Sequence, residues 1–222
     1  MSAVNALCQS YLDVRRHFDP AEASGAGAAS YDAALGRFDL DSMREHLAAF
    51  RALAGAAEDL EVSGLQDEID RTALLDDIRV TIFRLEHERP HQRNPEFWLS
   101  HLFQSLYTLL ARPGGHHAER APAALERLKA APAFLDAARA TLRQPPSVFV
   151  DTALGSLGGG GELVVQVAAT FGSAAPGLTD ELNQAAGNAL AALKSFGAAL
   201  GAEIRPSDDP HAFAAGEEQF ER

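Results

Sequence analysis

Apolar residues recur at steps of three and four along most of this 222-residue chain. That spacing places them on one face of an α-helix, whereas in a strand it would scatter them over both faces. Leu75, Ile78, Ile82 and Leu85 form one such row, and Leu99, Leu102, Phe103, Leu106 and Leu110 form another. A third runs through Leu182, Ala186, Ala189, Leu193, Phe196, Leu200 and Ile204. Shorter rows are Leu7, Tyr11 and Val14, and Met43, Leu47, Phe50, Ala54 and Ala57. Alanine is abundant, β-branched residues are sparse, and runs that alternate in the strand pattern are missing. The expectation is an all-α fold: an irregular bundle of seven to nine helices, no sheet, and one domain over residues 1–222.

Proline and glycine divide the rows. The helix carrying Ile78 should stop before Pro90, because proline has no N–H and pushes its predecessor out of the helical region. Asn94-Pro95-Glu96 should restart a helix, with an Asn cap, a proline in the first turn and an acid matching the dipole. The short link predicts that the two helices pack antiparallel, Leu75, Ile78, Ile82 and Leu85 facing Leu99, Leu102, Phe103 and Leu106. Residues 19–39 and 111–122 read as irregular connections. Leu125, Leu128, Leu135 and Leu142 predict a helix or helix pair around Pro132, stopped by "RQPP" (143–146). A helix over Val148 to Leu157 should break at Gly158 to Gly161, and a short one should follow over Glu162 to Phe171. The last helix should start near Thr179 and end before Pro206. No internal repeat recurs at a fixed period.

The 19 basic and 31 acidic side chains give a net charge of −12, which disfavours nucleic acid and anionic membranes as partners. Cys8 is the one cysteine, so no intrachain disulfide can form. The first residues do not resemble a secretory signal, and no apolar run approaches ~20 residues, so neither export nor a membrane span is expected. A cytoplasmic location is the expectation.

His87-Glu88-Arg89-Pro90-His91 matches the zinc-peptidase pattern H-E-x-x-H. That chemistry needs two histidines one turn apart on a continuous helix, with the glutamate activating water. Pro90 interrupts the helix at a cost of ~3 kcal/mol or more. With His91 expected in a loop and no third ligand at a helical offset downstream, the match reads as a coincidence. His116-His117 could ligate metal, but adjacent histidines on a helix diverge. "GSLGGGGE" (155–162) lacks the Lys and Ser/Thr of a phosphate loop, and Glu162 would repel an anion. Cys8 has no identifiable base partner and reads as a structural thiol. Arg93, Trp98 and His101 remain as cleft-lining candidates near the Asn94-started helix, with core packing the default for Trp98.

Four stretches carry a family resemblance: "YLDVRRHFDPAEASGAGAASYDAALGRFD" (11–39), "DEIDRTALLDDIRVTIFRLEHERPHQRNPEFWLSHLFQSLYTLLAR" (67–112), "APAFLDAARATLRQPPSVFVDTAL" (131–154) and "GEEQFER" (216–222). Asp70-Arg71, "ERPHQRNPEFW" and "QPPSVFV" are the most specific pieces. In this order they resemble the amino-terminal part of the bacterial domain-of-unknown-function family 885. The resemblance implies a largely helical fold and a parent like the zinc-dependent peptidases of the gluzincin type. It implies a zinc motif, His-Glu-x-x-Pro-Gly-His-His, in a carboxy-terminal part that this chain does not reach; "PGGHH" (113–117) lacks the preceding His-Glu. It also places "HERPH" where relatives end a helix with Glu-x-Arg-Pro and hold no metal. No catalytic, cofactor or metal residue is therefore expected in this chain, and zinc is expected only in the missing part.

Three functions compete. The first is a non-catalytic helical domain of a metallopeptidase-like protein, one wall of a substrate or peptide cleft, served by a catalytic portion in trans. The second is a free-standing module that binds a peptide or protein. The third is a small hydrolase using its own histidines. Exposed Phe213 and Phe220 near the carboxy terminus would promote self-association.

Overall fold

The computed structural model describes residues 2–214 and Gly216. Among them there is no strand, and the chain runs as seven long helices and two short ones. The long ones are α1 (Ala3–Phe18), α3 (Leu40–Glu58), α4 (Leu65–Phe83), α6 (Pro95–Ala111), α7 (His117–Thr141), α8 (Ser147–Ala174) and α9 (Thr179–Ala202). The short ones are α2 (Pro20–Gly25) and α5 (Pro90–Arg93). The all-α expectation holds.

Local chemistry sets several helix starts. Ser2, Asp19, Asp39 and Asn94 accept a backbone N–H two or three residues on, at 3.3, 2.9, 3.0 and 3.0 Å. Each satisfies a donor that a helix start leaves without a partner. α6, α7, α8 and α9 pack on one another, and α3 packs between α1 and α4. Phe38, in the segment before α3, joins the two groups. Its ring is buried edge-on to Phe18 at 5.6 Å, Trp98 at 5.8 Å and Phe134 at 5.9 Å.

Four local expectations need correction. Residues 19–39 are not irregular throughout: Asp19 caps α2, which lays buried Ala21, Ala23 and Ser24 against α6. His91 is not in a loop but in α5, where it is buried. The stretch 111–122 is not a connection throughout: α7 begins at His117 and runs for 25 residues as one of the two forms expected, a single helix, with Pro122 and Pro132 inside it. The Gly158 to Gly161 run does not break the chain, since α8 continues through it for 28 residues. Gly160 explains part of that. A Cβ there would lie 1.9 Å from Cζ of Phe103, so glycine is what lets α8 approach α6. Uninterrupted, α8 is long and apolar enough to cross a membrane by length and composition, which the reading split at the glycines missed. In the bundle, Val150, Ala153, Val164, Val167 and Phe171 are buried.

The expected α4–α6 pair does not form. α4 lies against α3 and α1, while α6 lies against α8, α7 and α2. The reason is the link. α4 runs into a π-helical turn, Arg84–Glu88, closed by a 2.8 Å bond from the Arg89 N–H to the Arg84 carbonyl. Arg89 then takes the left-handed conformation (φ 48°, ψ 54°), and α5 follows. These turns aim α6 into the other helix group. Ile78 is fully buried, whereas Ile82 is only partly so.

After α9 the chain returns across the α7–α8 corner. Ser207 N–H donates to the Pro145 carbonyl at 2.9 Å, and Arg93 donates to the Ala212 carbonyl. Phe213 is 55% exposed. Phe220 lies outside the described residues, as does the segment after Gly216.

Candidate functional site

A cavity of about 850 Å³ forms a groove between α2 and one face of α6. Ser100, His101, Phe103, Gln104, Tyr107 and Thr108 share that face because they repeat at helical spacing. Asp19, Ala21, Glu22, Gly25 and Ala26 form the opposite wall, and Leu163 of α8 also lines the groove. Tyr107 is 53% exposed, so the groove offers an aromatic surface to a ligand.

His101 and Asp19 meet at the groove. The imidazole lies against Phe97 and Phe38, at ring separations of 4.2 and 4.5 Å. Its Nδ1 is 2.6 Å from the Phe97 carbonyl and its Nε2 is 3.5 Å from Asp19 Oδ2. Burial by itself would raise the Asp19 carboxyl. The His101 contact and the Glu22 backbone N–H outweigh it and hold the carboxyl below its usual range. Both ring nitrogens face oxygen acceptors, which fixes the orientation of the ring at this end of the groove. Ser100, its neighbour in sequence, is not poised as a nucleophile: its hydroxyl donates to Glu96 at 3.0 Å. The groove has a polar end at His101 and Asp19 and largely apolar walls.

The other candidates separate. Trp98 is not a cleft residue: it is fully buried, and its indole N–H donates to the His91 carbonyl at 2.9 Å. Arg93 lies away from the groove, in a pocket of about 360 Å³ by the returning chain. His87 and His91 do not share a continuous helix, because left-handed Arg89 and Pro90 stand between them. Burial and then the charge of Arg89 push His91 down to about 4. His116 faces Glu119 at 3.2 Å, while His117 approaches the Leu110 carbonyl at 3.1 Å. Burial and the charge of Asp70 raise the Cys8 thiol, which leaves it a poor nucleophile. Among the described residues, no three His, Cys, Asp or Glu side chains gather as a metal-binding group.

A family model for "bacterial protein of unknown function (DUF885)" matches residues 20–222. The chain belongs to this family. The match spans every element from α2 onward and includes the groove's lining except Asp19, which stands one residue before it. No curated protein matches the chain.

The sequence reading missed a polar network beside the groove. Arg127 is fully buried, and its guanidinium donates to the carbonyls of Ala34 (3.1 Å), Tyr31 (3.2 Å) and Ser105. Burial lowers its pKa to about 10. Asp32 accepts from Ser24 at 2.7 Å and pairs with Arg112, and these contacts outweigh burial to hold its carboxyl low. This network pins residues 24–34 to α6 and α7 and so fixes the position of α2. In sequence these residues look like ordinary surface charges.

Proposed function

We propose that the chain is a non-catalytic helical part of a metallopeptidase-like protein, and that the α2–α6 groove forms one wall of its peptide cleft. The observation that carries this reading is the groove itself: open, walled by Phe103, Tyr107 and Leu163, and ended by the fixed His101–Asp19 pair. Such a surface takes an extended apolar segment along its walls and hydrogen-bonds its polar groups at one end. Hydrolysis in a zinc peptidase also needs metal-activated water and a general base. On this reading those groups come from a catalytic portion acting beside the groove or in trans.

A photo-crosslinking residue placed at position 107 tests the groove. It should give adducts with unstructured peptides, and filling the groove by Thr108→Trp should remove them. Adducts that persist at full yield in Thr108→Trp would show that peptides bind elsewhere. Chelator-sensitive peptide cleavage by the purified chain would refute the non-catalytic role.

A further inference from the structure

The "HERPH" stretch helps line a second pocket. α3, the π-turn and α5 enclose about 570 Å³. The chain carries a net charge of −12, yet three arginines line this pocket, Arg44, Arg51 and Arg89, against one carboxylate, Glu86. Glu86 is already paired with Arg51, and Arg44 is paired with exposed Asp41. Arg89 is different. Its Nε donates to the Glu86 carbonyl at 2.6 Å, and among the described residues no carboxylate lies within ion-pairing distance of it.

His91 adds a second unmet demand. The Gln92 side-chain amide lies 3.1 Å from His91 Nε2, and an N–H donated across that contact puts the ring proton on Nδ1. Nδ1 is buried and, among the described residues, has no hydrogen-bond partner. An unmet buried donor is costly, and it marks a place where a ligand atom could belong. The backbone points the same way. Arg89 is a non-glycine residue in the left-handed region, directly after a π-turn, and both features cluster at functional sites. His87 also lines the pocket, and the remaining lining residues, Leu40, Met43, Leu47 and Leu85, are apolar.

We infer that this pocket binds a small ligand that joins a carboxylate to a short apolar group, with Arg89 as the charge partner and His91 as a hydrogen-bond donor. An amino acid or peptide carboxy terminus has that chemistry, and so does a short fatty acid. The site shares no lining residue with the α2–α6 groove, so it stands whether or not the groove binds peptide.

Trp98 is the one tryptophan and donates to the His91 carbonyl, so its fluorescence reports on the pocket. The probes are N-acetyl-leucine, its carboxamide and hexanoate, titrated against the full chain. N-acetyl-leucine should give a saturable change, and the carboxamide should bind at least about tenfold more weakly. Hexanoate binding as tightly as N-acetyl-leucine would support the site and assign it to simple carboxylates. Weaker hexanoate binding would support it and assign it to amino-acid or peptide termini. Arg89→Gly and Arg89→Asn remove the charge with residues that tolerate the left-handed conformation. Each should keep its melting temperature and lose at least about tenfold in affinity for N-acetyl-leucine. Equal binding of acid and carboxamide, unchanged affinity in both variants, or no saturable change below about 10 mM would overturn the inference.

Discussion

Gly159 and Gly160 are neighbours in α8 and should respond to alanine in opposite directions. Replacing an interior helical glycine by alanine stabilises by ~1 kcal/mol, because alanine has less backbone freedom to lose. At Gly159 nothing lies within 4 Å of the added Cβ, so the full gain should appear. At Gly160 the Cβ would fall 1.9 Å from Phe103 Cζ and 2.3 Å from Cε1, well inside van der Waals contact. Either the ring swings into the groove or α6 and α8 move apart. Such overpacking costs ~1–3 kcal/mol, which offsets or exceeds the helical gain. The two variants should therefore differ by ~1–3 kcal/mol, or several degrees in melting temperature for a chain of this size. Urea unfolding followed by circular dichroism measures both. Phe103→Leu should recover much of the Gly160→Ala loss, as expected for residues in direct contact. If Gly160→Ala were as stabilising as Gly159→Ala, the close α6–α8 approach would be wrong, and with it this account of the unbroken helix.

Ile78→Ala should cost ~2–5 kcal/mol in the same assay, and Ile82→Ala clearly less, because Ile78 is fully buried and Ile82 is not. Equal losses would contradict the packing of α4 on α3. Arg127→Met should cost more than ~3 kcal/mol, since it leaves three carbonyls without their donor. A loss below ~1 kcal/mol would show that the guanidinium is not holding residues 31–34. Acid should also destabilise the fold in two stages. His91 falls from 6.5 unfolded to about 4 folded, so the unfolded chain binds more protons between those values. Its contribution is complete above pH ~6.5, is lost as pH falls to ~4, and is of order 3 kcal/mol. Asp19, Asp32 and Asp39 are held below 3.8, so their contribution is present above that value and lost only below it. His91→Gln should reduce the slope between pH 6.5 and 4 to the part due to His46, whose ring is also held low by burial, and leave the acid limb. An unchanged slope would mean that His91 is not buried as a neutral ring.

What could be read from the sequence was local. The 3.6-residue period gave the fold class, and Asn94-Pro95-Glu96 gave the start of α6, because both depend on residues a turn or less apart. Helix pairing was not legible in the same way. A six-residue link between Glu88 and Pro95 argues for antiparallel neighbours only if it reverses the chain, and the π-turn and left-handed Arg89 send it elsewhere. Four glycines cost a helix ~4 kcal/mol by propensity alone. The buried row Val150, Ala153, Val164, Val167 and Phe171 on either side of them overrides that cost.

The groove shows how one signal can be read in two ways. Small residues between Asp19 and Gly25 made the segment look like a loop, because loops tolerate them. Yet Ala21, Ala23 and Ser24 are buried, and a Cβ on Gly25 would already touch Thr108 at 3.5 Å. Their smallness lets α2 lie close on α6. A cap signal at Asp19 is present, since Asp-Pro-Ala-Glu carries an acceptor, a first-turn proline and an acid at the third position, but the loop reading of 19–39 passed over it. His101 was legible as a polar residue beside an apolar stripe. Their meeting was not, because it requires α2 to be a helix and to dock on α6. That docking rests in turn on Arg127 and Asp32, whose partners are backbone carbonyls and side chains up to 96 residues away. A binding site assembled from such contacts has no spacing rule of its own. It becomes visible only once the close packing that places α2 is known.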